Sequence, residues 1–168
     1  VAKRHEQAEL THVRIPVGCA FHSPIMAGAR ARLVAALAEV NFAGARIPVM
    51  SNATGKAYPA GDTQDIVAPY RSLLESQLTS PVRFQEQIEN LYSSGSRVFI
   101  EVGPGNVLTK LVRQILGNKP HAAISTNMEA ANHVKFLQQA LAQMIVQGMD
   151  VDCERLYSGR DLKPARLA

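Results

Sequence analysis

The chain has 168 residues, 46% hydrophobic and 19% charged, with a formal net charge of +4. That is enough chain and apolar content for a folded core, and it excludes a disordered segment. No apolar run approaches the roughly 20 residues of a membrane-spanning helix, and Lys and Arg are too scattered for a nucleic-acid surface. Cys19 and Cys153 lie far apart, with no partner spacing for zinc or a disulfide framework. No metal is therefore expected, and a reducing, cytoplasmic compartment is the default. The opening Val-Ala-Lys-Arg-His-Glu has no signal-peptide pattern and reads as the start of a piece excised from a longer chain.

Residues Val1 to Leu10 are polar and read as the end of a helix. Val13, Ile15 and Val17 then alternate with Arg14 and Pro16, the pattern of a short strand. The alternation breaks at Gly18 into the run Gly18-Cys19-Ala20-Phe21-His22. Ser23 follows as a predicted helix N-cap, with Pro24 at the first helical position, where its missing N–H costs nothing. His22 thus falls on a strand-to-helix joint. On local grounds it reads either as a general base or as a capping or packing side chain.

The helix after Ser23 is expected to reach about Val40, with Met26, Ala29, Leu33, Ala36, Leu37 and Val40 on one face. Ile47 to Met50 is a strand candidate, Asn52 to Gly55 carries turn chemistry, and Tyr58 to Asp62 is a loop. Ile66 to Gln77 reads as a helix broken ahead of Pro81, and Phe84 to Ser93 as another, with Gly95 past its end. Val98 to Val102 is the clearest strand, its near-continuous apolar run suiting a buried parallel sheet.

Gly103-Pro104-Gly105 turns that strand into a helix bearing Val107, Leu108, Leu111, Val112 and Ile115, which stops near Gly117. Ala122 to Ser125 is a further short strand, and a last helix carries Val134, Leu137, Leu141 and Ile145 and ends at Gly148. Strand, helix, strand, helix from Val98 onward is an α/β order with parallel crossovers. Glu101-Val102-Gly103-Pro104-Gly105 has a phosphate loop's glycines, but lacks a full G-x-G-x-x-G or a G-K-[ST], and reads as structural. The other histidines, His5, His12, His121 and His133, sit in polar or terminal contexts and read as surface residues.

Four stretches together carry a resemblance. They are Ala20-Phe21-His22-Ser23-Pro24-Ile25-Met26, Ile47-Pro48-Val49-Met50-Ser51-Asn52-Ala53-Thr54-Gly55, Gln77-Leu78-Thr79-Ser80-Pro81-Val82-Arg83-Phe84 and Phe99-Ile100-Glu101-Val102-Gly103-Pro104-Gly105. In order and approximate spacing they resemble the acyltransferase domains of polyketide and fatty acid synthases, over nearly the whole chain. The tail Val151-Asp152-Cys153-Glu154-Arg155-Leu156-Tyr157 is similar to the way such domains run into a linker.

The resemblance implies that His22 is the catalytic base of a serine–histidine pair and that the carbonyl group of the Gln77 position orients its imidazole. It implies that Ala20 and Phe21 border the acyl group. Malonyl-selective members show H-A-F-H here and methylmalonyl-selective members Y-A-S-H, so Phe21 matches the malonyl type, while Cys19 departs from the usual histidine. Ser51 and Asn52 are further candidates to line the pocket. The nucleophilic serine of such domains lies in a G-H-S-x-G elbow upstream of the histidine. No Gly-x-Ser-x-Gly occurs in this chain.

The expected fold class is therefore α/β: the C-terminal part of an α/β-hydrolase-like acyltransferase core, a parallel sheet with flanking helices, plus the last strand of a ferredoxin-like subdomain. The expected divisions are residues 1–17 for the end of that subdomain, 18–150 for the core and 151–168 for a post-acyltransferase linker. The expected substrates are a malonyl-coenzyme A thioester and the phosphopantetheine of an acyl carrier protein, with no covalently bound cofactor. The expected structural partner is an N-terminal half bearing the serine elbow. An acyl hydrolase that clears wrong acyl groups and a non-catalytic docking fragment of a synthase are the alternatives.

Overall fold

The computed structural model describes residues 18–61, 63–127 and 133–161, without the side chains of 63–65. The expected strand at Val13–Val17, the polar stretch before it and residues 162–168 of the tail lie outside the described residues. The chain divides into two compact units, Val1–Phe84 and Gln85–Ala168.

In the first unit Ser23 adopts the extended N-cap conformation, φ −141° and ψ 163°, but its side chain makes no cap hydrogen bond. The hydroxyl instead turns back and donates to the Ala20 carbonyl at 2.6 Å. A 3₁₀ segment, Pro24–Ala29, leads into α1, Arg30–Ala38. Neither contains a buried residue. Of the predicted apolar face, Met26, Leu33 and Leu37 are half-buried, and Ala29, Ala36 and Val40 are exposed.

The predicted strand at Ile47–Met50 does not form. Ile47 and Val49 are exposed, and Met50 makes only an isolated antiparallel bridge to Ala57. The segment is one arm of a tight turn closed by Ser51 N–H to the Lys56 carbonyl and Tyr58 N–H to the Val49 carbonyl, each at 2.8 Å. Gly55, at φ 69°, supplies the left-handed residue that this turn requires.

Helix α2, Thr63–Gln77, begins three residues before the predicted Ile66 and runs through Pro69. Its inner face is held by Ile66, 1% exposed, and Tyr70. Tyr70 packs edge-on against Phe42 and Tyr58 and donates its hydroxyl to the Pro59 carbonyl.

Helix α3, Phe84–Ser93, has the predicted bounds, and its end is closed over Gly95 at φ 105°. In the second unit β1, Val98–Pro104, and β2, Ala122–Asn127, pair in parallel, joined by α4, Val107–Leu116. The expected parallel α/β order is thus present. The turn expected at Gly103-Pro104 is taken up by the strand, whose register shifts between Glu101 and Pro104. The strand is not uniformly buried: Val102 stands 84% exposed.

Helix α5, His133–Val146, packs on β2 by Ala140 and Met144, which with Ile124 form the core against Val98, Ile100, Leu141 and Val151. Of the apolar residues singled out in this helix, Val134, Leu137 and Ile145 are exposed, and Leu141 packs against the core. Small Ala140 marks the side that approaches the sheet. A final 3₁₀ segment, Cys153–Tyr157, is capped by Asp152, whose carboxylate accepts from Glu154 N–H.

Glu101 explains the Glu-Val-Gly-Pro-Gly stretch. Its carboxylate accepts from the N–H of Leu108 at 3.1 Å, the N–H of Thr109 at 2.7 Å and the Thr109 hydroxyl at 2.6 Å. A strand carboxylate thus occupies the N-terminus of α4, where orphan amides and the helix dipole favour an anion. Burial pushes the Glu101 carboxyl up, but the Thr109 hydroxyl and the Thr109 and Leu108 amides outweigh it, leaving it below the ordinary glutamate value. The charged form is therefore bound more strongly in the folded state. Its stabilisation is complete above the unfolded-state pKa and disappears as pH falls through the lower folded one. Glu101→Ala should cost about 1–2 kcal/mol at neutral pH, measured by urea unfolding followed by circular dichroism. The gap to wild type should close in acid, and a gap independent of pH contradicts this role.

Candidate active site

His22 is the last of the four residues between Gly18 and the Ser23 cap, and its backbone is in the left-handed region at φ 58°. It has the only positive φ of any non-glycine residue among the described residues. Such a conformation costs an L-residue about 1–3 kcal/mol and persists only where its surroundings over-determine it. Here two bonds tie the loop on either side of it. Phe21 N–H donates to the Cys19 carbonyl at 3.0 Å, and the Ser23 hydroxyl donates to the Ala20 carbonyl at 2.6 Å.

The imidazole is half-buried, and its Nδ1 lies 2.8 Å from the main-chain carbonyl oxygen of Gln77. A carbonyl oxygen only accepts, so this bond places the proton on Nδ1. The neutral ring then keeps its lone pair on Nε2, which has no hydrogen-bond partner among the described residues. When Nε2 takes up a proton, the resulting cation faces the negative end of a helix dipole.

The reason this carbonyl is available lies in α2. The last four carbonyls of a helix have no intrahelical donor, and Gln77 is the final residue of α2. The Ser76 carbonyl beside it accepts from the N–H groups of Thr79 and Ser80. The Gln77 carbonyl is taken by a residue 55 positions earlier.

The two predicted residues, His22 and Gln77, are therefore in contact. The group that meets the imidazole belongs to the main chain, which any residue supplies, so the glutamine amide has no part in it. Ala20 and Phe21 flank the histidine on the exposed loop, Phe21 with 55% of its surface open. Ser51, a pocket candidate by sequence, is 1% exposed, and its hydroxyl has no hydrogen-bond partner among the described residues. Asn52 stands in the same turn, and its carbonyl accepts from Arg83 N–H at 2.9 Å.

Two residues of this region carry contacts that the sequence reading passed over. Arg71, from α2, donates to the carbonyls of Leu37 at 3.1 Å, Ala38 at 3.0 Å and Val40 at 3.5 Å, at the end of α1. Glu75 pairs with Arg30 at 3.3 Å. An arginine half-way along a predicted helix gives no sign of such a role, because its partners are again main-chain carbonyls. Cys19 and Cys153 are free and exposed, and no cluster of metal-ligating side chains occurs among the described residues. Nor is any helix among them long and apolar enough to cross a membrane.

Residues 1–151 match the acyl transferase domain family. The chain is 32% identical over 143 residues to a polyunsaturated fatty acid synthase polypeptide from a Thraustochytrium species, covering 82% of this chain and 5% of that protein. It is 36% identical over 103 residues to the malonyl CoA-acyl carrier protein transacylase of Bacillus subtilis, covering 61% of this chain and 31% of that one. The crystal structure of the acyltransferase domain from the second module of the salinomycin polyketide synthase superposes with a TM-score of 0.78 at 27% identity. That match covers 96% of this chain and 38% of the other. The chain thus spans about a third of the single-domain relatives it resembles. With the parallel α/β pairing and the family match over nine-tenths of its length, the chain belongs to the acyl transferase domain family.

Proposed function

We propose that this chain is the histidine-bearing part of a malonyl-type acyltransferase domain and that His22 is its general base. The observation that carries this reading is the 2.8 Å bond from His22 Nδ1 to the Gln77 carbonyl, which orients the ring and frees Nε2. The Bacillus subtilis relative, named as a malonyl CoA-acyl carrier protein transacylase, supports the choice of a coenzyme A thioester as donor and a carrier protein as acceptor.

In this reading a serine outside these 168 residues, in an upstream elbow, is the nucleophile. His22 Nε2 takes the serine proton as the oxygen attacks the thioester carbonyl, then returns it to the departing coenzyme A sulfur. In the second half the phosphopantetheine thiol of the carrier protein gives its proton to Nε2 and attacks the acyl-serine ester. The proton ends on the serine oxygen. The imidazolium formed in each half faces the Gln77 carbonyl at the end of α2, so the groups that orient the base also stabilise its charge. No bound cofactor is required. Residues 1–17, 18–150 and 151–168 take the parts of subdomain end, core and linker, and a soluble synthase of the cytoplasm is the setting.

Hydrolysis of the acyl-serine would use the same base with water as acceptor. The family match and the transacylase relatives favour transfer. Loading of labelled malonyl groups onto a complete domain, with and without carrier protein, separates the two.

Two substitutions test the residues. In a complete domain His22→Ala should lower the rate of malonyl loading by about 10²–10⁴-fold, the usual contribution of a positioned acid–base group, without loss of helix content. A loss below about tenfold refutes the role of base.

Phe21 tests selectivity. If its ring fills the space beside the C2 carbon of the acyl group, Phe21→Ser leaves room for a methyl branch. One methyl in an apolar pocket is worth about 1–3 kcal/mol, so the mutant should show relaxed preference and no full switch. Competition between malonyl- and methylmalonyl-coenzyme A measures this, and an unchanged ratio removes Phe21 as the gate.

A further inference from the structure

We infer that Arg71 is a positioning residue: it fixes α1 against α2 and thereby keeps the Gln77 carbonyl in front of His22. This extends the reading of His22 as the base but concerns geometry alone.

The His22–Gln77 contact joins two segments that have little else to hold them in register. On one side His22 leads through Pro24–Ala29 into α1, and none of these helical residues is buried. Apolar burial, the usual source of helix docking, is therefore weak here. On the other side Gln77 is carried by α2, which is anchored in the core by Ile66 and Tyr70. Polar ties must set the position of the first segment on the second.

Arg71 is the main one. Its Nε donates to the Leu37 carbonyl and one Nη to those of Ala38 and Val40, and its guanidinium lies 5.9 Å from the centre of the Phe42 ring. Leu37 and Ala38 are the last two residues of α1 and Val40 lies just beyond it, so the guanidinium sits at the C-terminal end of the helix, where a cation is favoured by the dipole. The planar fork of arginine reaches several acceptors at once, which one ammonium group does less well. The Arg30–Glu75 pair adds a second tie at the other end of α1. It is the weaker one, since Arg30 is 59% exposed and exposed ion pairs contribute little. Arg71 stands six residues before Gln77 on one helix, about 9 Å along its axis. A shift of α1 at Arg71 is thus transmitted by two short, rigid elements to the single bond at His22.

The test reads the imidazole directly and needs neither serine nor substrate. In the 168-residue chain with ¹⁵N-labelled histidine, the His22 ring, assigned by its loss in His22→Ala, should carry its proton on Nδ1. In Arg71→Gln, with helix content unchanged by circular dichroism, the ratio of the Nδ1–H form to the Nε2–H form should fall about tenfold, the effect of losing one ordinary hydrogen bond. Arg71→Lys, which retains charge and reach, should restore part of it. A merely structural arginine would lower the urea midpoint and leave the ratio in the folded protein unmoved, and that result overturns the proposal. So does a wild-type ring without the Nδ1 proton. Should Arg71→Gln fail to fold, Arg71→Lys decides, and failure of both assigns Arg71 to the fold as a whole and not to the histidine. Failure of His22 as the base would show in malonyl loading and leave this ratio untouched.

Discussion

One hydrogen bond, from the His22 ring to the last carbonyl of α2, sets what the first unit must do. A helix end offers an acceptor that the helix itself cannot satisfy, and the loop after Gly18 brings a donor to it. The strained backbone at His22, the Ser23 hydroxyl turned back to Ala20 and the polar ties along α1 all serve to bring that donor to that place. The end of α1 is treated in the same way by Arg71. Two neighbouring helices therefore each have a carbonyl at their C-terminal end met by a side chain carried on the other segment.

The second unit solves the opposite end of the problem. The first turn of α4 presents free amides, and Glu101 reaches them from the adjacent strand. This ties strand to helix across their short connection and fills with a carboxylate the position where a nucleotide-binding loop would hold phosphate. Past the end of the strand Gly105, at φ 88°, allows the short connection to the helix, and the acidic residue ahead of it takes the place of a ligand.

Much of this was legible in the chain. Helix α3, the parallel strand pair and the stops at Gly95, Gly117 and Gly148 followed from periodicity and glycine placement, because those signals are local. His22 and Gln77 were legible through their motifs, but not the nature of their contact, since a main-chain carbonyl leaves no trace in the residue type. Ile47–Met50 misled because its apolar residues mark a turn arm in the described structure. In α5 an excess of apolar residues hid which side is buried, and only the position of Ala140 against β2 resolves it. Arg71 was invisible for the same reason as the Gln77 carbonyl: its partners are backbone atoms 31 to 34 residues away.

The left-handed backbone at position 22 also limits what chemistry the site can ever hold. The residues that tolerate φ near 58° are few, chiefly glycine, asparagine, aspartate and histidine. Glycine and asparagine have no group that exchanges a proton near neutrality. Aspartate does when acidified, but as a carboxylate it only accepts hydrogen bonds and would be repelled by the Gln77 carbonyl. Histidine alone satisfies the backbone, donates to the helix end and retains a basic nitrogen. Lysine and glutamate, ordinary bases elsewhere, are disfavoured by the shape of the chain before their reactivity comes into question.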